Sequence, residues 1–182
     1  MKWRNTATRY GGLSAGLHWL MLILLAAVFA SMELRDFYPK GSAARDAMKT
    51  WHYMLGLSVL PLVTLRLALA FIGPSPAIAP VPAQWQETMA KLMKVALYVF
   101  MLAMPLLGWL ILSAKAAPIP FFGLHLPALL VENKELAHTI KEIHETGATI
   151  GYVLIGLHAA AALYHHYLLG DDTLRRMLPK RS

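Results

Sequence analysis

His144-Glu-Thr-Gly-Ala-Thr-Ile-Gly-Tyr-Val-Leu-Ile-Gly-Leu-His158 is a nearly uncharged run with a histidine at each end. At a helical step of about 100° per residue, fourteen positions fall roughly 40° short of four turns and rise about 21 Å. A helix over this run therefore presents two imidazoles on one face, at two depths. Ligands of one metal ion converge on a point, so these two cannot serve the same ion. Gly151 lies midway on that face, seven residues from each histidine.

The surrounding chain is unusually apolar. Of its 182 residues 57% are hydrophobic, above the roughly 45–50% of a soluble domain. Four apolar stretches, at about 11–32, 52–72, 92–112 and 147–169, are long enough to cross a bilayer, which takes about 20 residues. They predict an all-α integral membrane four-helix bundle, multi-pass, with residues 1–182 forming a single membrane domain surrounded by lipid. Val28-Phe29-Ala30 fits a signal-peptide cleavage pattern. The apolar run before it is longer than the roughly 7–15 residues of a signal h-region, so the stretch is read as a span.

The net charge of +7 raises the question of nucleic acid or an anionic membrane, and the placement of the charges answers it. Ten cations (Lys2, Arg4, Arg9, Arg66, Lys91, Lys94, Arg175, Arg176, Lys180, Arg181) lie at the N-terminal end, around the second loop or in the tail, against Glu87, Asp171 and Asp172. The other side has seven cations (Arg35, Lys40, Arg45, Lys49, Lys115, Lys134, Lys141) and seven acids. The positive-inside rule then puts both termini in the cytoplasm and the first and third loops outside. The excess charge is a topology signal and does not indicate a nucleic-acid partner.

Cysteine is absent, which excludes disulfides and thiolate-held metal or iron–sulfur centres. Prolines 74, 76, 80 and 82 make the second loop an extended connector. The third loop, about 113–135, is rich in aromatic and apolar residues and is expected to lie on the outer membrane surface or over the mouth of the bundle. Pro61 and Pro105 fall inside spans, each removing one backbone hydrogen bond. Trp51 and Trp109 fall near the outer interfaces, where an aromatic belt is expected.

Depth sorts the histidines into pairs. His52 and His144 enter their spans from outside, and His18 and His158 lie toward the cytoplasm. A lone intramembrane histidine is commonly a helix–helix hydrogen bond. Four at two matched levels point to ligation, and imidazole serves haem, copper or zinc. With no carboxylate deep in the spans, a zinc or proton-coupled transport site is short of ligands. Two axial imidazoles per iron would give six-coordinate haem suited to electron transfer. Gly147 and Gly56, about one turn beyond His144 and His52, and the midway Gly151 would leave room for a flat ring, although glycine also serves ordinary close packing. Arg66, fourteen residues beyond His52, is placed to bind a haem propionate or else to snorkel to the headgroups. His165 shares the face of His158 and is a candidate to contact a quinone, relay protons or sit at the interface.

Gly16-Leu-His18-Trp-Leu, Trp51-His52, Ile143-His-Glu-Thr-Gly and Ile155-Gly-Leu-His-Ala-Ala-Ala-Ala-Leu-Tyr-His-His166 resemble the bacterial cytochrome b561 family over essentially the whole chain. Met32-Glu-Leu-Arg-Asp-Phe-Tyr-Pro39 and the tail from Asp172 resemble its superoxide-oxidising members. The resemblance implies two haems b with axial ligands His18, His52, His144 and His158, in a bacterial inner membrane. It also implies superoxide as periplasmic electron donor and ubiquinone as acceptor. Among the outward-facing cations, Arg35 and Lys115 are the candidates to steer superoxide. One alternative keeps the haems in a carrier between quinol and a periplasmic redox partner protein. A more distant one is a histidine-lined transition-metal transporter.

Overall fold

The computed structural model describes residues 3–178. Lys2, Lys180 and Arg181, used in the charge argument, lie outside the described residues. Helices α1 (Gly12–Arg35), α2 (Ala43–Ile72), α3 (Gln84–Ala114) and α4 (Lys134–Tyr167) account for most of the chain. Each is long and apolar enough to cross a membrane. Side chains such as Ile23, Phe71, Ile72, Val99 and Val153 are exposed. An exposed apolar helix surface of this extent is stable against lipid, where the helix satisfies every interior backbone group by itself.

Three of the helix starts carry caps that end the preceding loop. Ser42 Oγ accepts from the Arg45 N–H at 3.3 Å ahead of α2, and Asn133 Oδ1 accepts from the Leu136 N–H at 2.9 Å ahead of α4. At α3 the Gln86 side chain reaches back to the Ala83 N–H at 3.0 Å. α2 and α3 continue through Pro61 and Pro105 without a break in helix. α4 begins at Lys134, well before the apolar run at 147, because Glu135, Lys141, Glu142 and Glu145 are good helix formers that need no lipid.

The sequence gives no warning of a sheet, yet the third loop holds a small antiparallel hairpin, β1 (Pro120–Phe121) with β2 (Leu124–His125), pairing Pro120 with His125 and Phe121 with Leu124. Its two turn residues, Phe122 and Gly123, both have positive φ, 46° and 86°. A two-residue hairpin turn demands that sign, since it matches the right-handed twist of the strands.

The chain groups into two compact units, each with a segment of all four helices. The His18 unit holds the chain up to Leu20, Thr64–Val99 and the chain from Ile150 on; the His52 unit holds Met21–Val63 and Phe100–Thr149. In the His52 unit, Ile119 from the third loop is buried with Leu57 and Leu112, and Tyr53, Trp109, Phe121 and Leu126 pack around them. The loop is fastened by the Trp109 indole N–H to the Pro127 carbonyl at 2.9 Å and by the Leu129 N–H to Ser113 Oγ at 3.0 Å. Trp109 is therefore a clamp on the loop as well as an aromatic near an interface.

In the His18 unit the segment before α1, the proline connector and the C-terminal segment are tied together. The Ala77 N–H donates to the Ala7 carbonyl at 2.9 Å, and the Ala79 N–H to Asp172 Oδ1 at 3.0 Å. Arg9 Nη2 reaches the carbonyls of Arg175 and Leu178 at 2.7 and 2.9 Å. Arg176 is buried, donates to the Pro76 carbonyl and lies over the Tyr10 ring. Prolines that cannot donate still offer carbonyls, and Arg176 and Asn5 use those of Pro76 and Pro74. The connector is thus a structural partner of both ends of the described chain.

Candidate functional site

Each unit holds one histidine pair. In the His52 unit, α2 brings His52 and α4 brings His144 to a ring-centroid separation of 6.2 Å with planes at 82°. In the His18 unit, α1 supplies His18 and α4 supplies His158, at 6.1 Å and 64°. The two spacings are nearly identical. About 6 Å is the separation expected when one nitrogen of each ring lies roughly 2 Å from a common metal ion.

The donor chemistry narrows what can fit. Among the described residues no group of three or more histidine, cysteine or carboxylate side chains converges as a metal site. Each pair offers two nitrogen donors and nothing else. That suits an iron whose other four positions are filled by a macrocycle, and it leaves a bare divalent cation short of ligands. Space beside the His52 pair agrees: a Cβ added to Gly56, one turn after His52, would meet nothing within 4 Å. Gly147 behaves differently. A Cβ there would lie 2.6 Å from Met104 Sδ, so this glycine lets α4 close on α3 and frees no space for a ring.

The rings differ in what holds them. His52 Nδ1 is 3.1 Å from the Val28 carbonyl, and Ser31 Oγ, itself donating to that carbonyl at 2.6 Å, stands 3.5 Å away. A carbonyl only accepts, so Nδ1 carries the proton and Nε2 keeps its lone pair. His144 lies with Cε1 3.7 Å from where a Gly108 Cβ would stand, and its Nδ1 is buried. His18 has the reverse arrangement to His52. Arg66 Nη2 is 3.0 Å from its Nδ1, and a guanidinium only donates, so Nδ1 accepts. Arg66 thus lies at the His18 pair, as its spacing predicts, with an imidazole as its partner. Trp19 stands edge-on to His18 at 5.3 Å and donates its indole N–H to the Met177 carbonyl at 3.0 Å.

Arg35 and Lys115 both belong to the His52 unit. Arg35 ends α1 and pairs with Asp36 at 3.1 Å, and Arg45 pairs with the same carboxylate at 2.8 Å. The Asp36 carboxyl is held below its ordinary value: the slight desolvation that would raise it is outweighed by hydrogen bonds and charge from Arg35 and Arg45. The charge of Arg35 is therefore offset by a neighbouring carboxylate, whereas Lys115, just past α3, is exposed. His165 pairs with Asp171, Nδ1 to Oδ2 at 2.6 Å.

Some contacts escape a reading of residue types. Val28 acts through its carbonyl, which every residue has. Asp171 reads only as one charge in the tail; the signal that finds it is the turn residue Gly170 between it and His165, whose φ of +69° sends the chain back toward α4.

Comparison with known proteins agrees with this architecture. A family model described as prokaryotic cytochrome b561 matches residues 9–180. Cytochrome b561 homolog 1 of Escherichia coli (strain K12) is 42% identical over 166 residues, 91% of this chain and 94% of that protein. A probable superoxide oxidase, CybB, of Yersinia pestis is 37% identical over 173 residues, 95% of this chain and 97% of that one. Cytochrome b561 homolog 2 of Escherichia coli (strain K12) is 31% identical over 186 residues, 100% of this chain and 97% of its own length.

Proposed function

The chain belongs to the prokaryotic cytochrome b561 family, and on that premise we propose that it holds two haems b and passes electrons from periplasmic superoxide to ubiquinone. The family is one of haem b oxidoreductases of the bacterial inner membrane that carry electrons. The observation that carries the two-haem reading is the repetition of one ring spacing, 6.1 and 6.2 Å, in two separate units. His52 with His144, and His18 with His158, are the proposed axial ligands. When bound, haem b would supply a one-electron change at iron, and the two imidazoles of each pair would hold it.

The protein's own groups would do the rest. The Val28 carbonyl fixes the His52 tautomer that presents Nε2 and makes the ring a better donor. Iron at His18 Nε2 requires the ring proton at Nδ1, where Arg66 stands as a donor. Arg66 must then leave His18, and a propionate is the anion to take it, which keeps the role expected from its spacing. With both termini cytoplasmic, the His52 pair faces the periplasmic half. There Lys115, and more weakly the paired Arg35, would attract a small anion.

Superoxide as donor is supported by the relative named a probable superoxide oxidase, which aligns over nearly the full length of both chains. Two superoxide anions release two electrons and leave as dioxygen; one ubiquinone takes two electrons and two protons to become quinol. Protein reconstituted with ubiquinone should form quinol when superoxide is generated. Absence of quinol would remove superoxide as donor. Quinol oxidation by a bound periplasmic redox protein would favour the carrier reading, for which exposed Phe122, Leu124 and Val131 offer an apolar face.

A further inference from the structure

Beyond the histidine pairs, the most constrained polar contact of the described chain is at the end of α4. His165 Nδ1 and Asp171 Oδ2 are 2.6 Å apart, with the carboxylate side chain 4% exposed and the imidazole 18%. This is a charge-assisted contact in a place where a lone carboxylate would be costly. The chain is built around it. Gly170 takes a positive φ, the Asp171 N–H returns to the His165 carbonyl at 3.1 Å, and the Thr173 N–H donates to the other carboxylate oxygen at 2.9 Å. Burial by itself would raise the Asp171 carboxyl; hydrogen bonds from His165 and Thr173 overcome that and hold it below the ordinary carboxylate value. Other charged or titratable groups near the pair include Tyr164, edge-on to His165, the adjacent His166, whose Nδ1 is buried, and the Asp172–Arg176 ion pair.

The arrangement has a directional consequence. Asp171 is sealed and ionised and accepts the hydrogen bond of His165 Nδ1–H, so Nε2 is the ring nitrogen left to face a proton donor or acceptor. The partly exposed imidazole is reached by solvent, the source of a proton for Nε2. His165 is seven residues past His158 on the same helix face, about 10 Å along the axis, in the same unit. The charge pattern puts this end of the molecule at the cytoplasm.

We infer that His165 and Asp171 are the proton-loading pair for quinone reduction, an inference that rests on the quinone-reducing reading above. Quinone needs two protons for the two electrons that superoxide supplies. In each delivery the His165 Nε2–H bond breaks and a quinone O–H bond forms. His165 is then reloaded from water, while Asp171 keeps its charge and orients the ring. Asp171 is a positioning residue in this scheme.

The test uses full-length, haem-loaded protein reduced with dithionite and mixed with a short-chain ubiquinone, following reoxidation by absorbance. Asp171→Asn should slow reoxidation about a hundredfold and enlarge its solvent deuterium isotope effect, and Asp171→Glu should recover most of the rate. The reduced spectrum and the quinone KM should not move. His165→Gln should match Asp171→Asn, and it decides the matter should the asparagine variant lose the bound-haem spectrum. Reoxidation of both variants at wild-type speed, or a loss that falls in KM, overturns the inference alone. Wild-type protein that ubiquinone does not reoxidise overturns the quinone reading and this inference with it.

Discussion

The His52 and His18 pairs have almost the same ring spacing and opposite surroundings. His52 is held by a neutral carbonyl, Val28, which leaves its Nε2 ready to ligate. His18 is held by a cation, Arg66, which occupies Nδ1 as a donor. Geometry alone therefore makes the two sites equivalent, and charge makes them different. A half-buried guanidinium such as Arg66 would favour the less positive, reduced state of an iron held beside it, while a carbonyl that increases ligand basicity would favour the oxidised state. On the proposed two-haem reading, that difference would favour electron flow from the His52 pair toward the His18 pair, which ring spacing does not supply.

The comparison breaks most severely if one member of a pair is removed. His52→Ala and His18→Ala should each lower superoxide-driven quinol formation by at least about a hundredfold, since neither site can substitute for the other in a transfer that depends on both. Quinol assays on the two variants check this. A variant that kept most of the wild-type rate would mean that its pair is a helix–helix contact.

Arg66→Met sharpens the comparison without removing a pair. A charge within roughly 8 Å, at an effective dielectric near 20, contributes on the order of 2 kcal/mol. The higher of two midpoint potentials should fall toward the lower in a spectroscopic redox titration, with the lower one unmoved. An unchanged titration would show that Arg66 does not set the difference between the sites.

How far these features were legible depends on whether the residue type itself carried the signal. The four spans followed from the length of the apolar stretches, and the histidine levels from helical rise, which is fixed by backbone geometry. Arg66 was legible as a cation at the level of His18 because fourteen residues return to the same face. Its engagement with imidazole was not, since the anion that would compete for it is no part of the chain. The hairpin was missed because Phe122 gives no hint of the positive φ it adopts. Gly147 shows the limit of composition arguments: the same residue type that leaves open space at Gly56 is filled by Met104 at position 147.

The smallest expected effect concerns the approach of the donor. Lys115→Ala should lower the second-order rate with superoxide by about two- to fivefold at low salt, an effect that fades as salt screens the charge. Arg35→Ala should do less, because Asp36 already offsets Arg35. Stopped-flow rates at two ionic strengths separate the two; a larger loss for Arg35 would mean that its ion pair opens when superoxide arrives.

The proposed function depends on both histidine pairs ligating haem, and the most direct measurement is haem content per chain, from a reduced-minus-oxidised spectrum and a protein assay on the purified membrane protein. Two haems b in the wild type, falling to one in His52→Ala and to one in His18→Ala, is the predicted result. One haem in the wild type, lost in only one of the two variants, would contradict it and leave the other pair as a contact between helices.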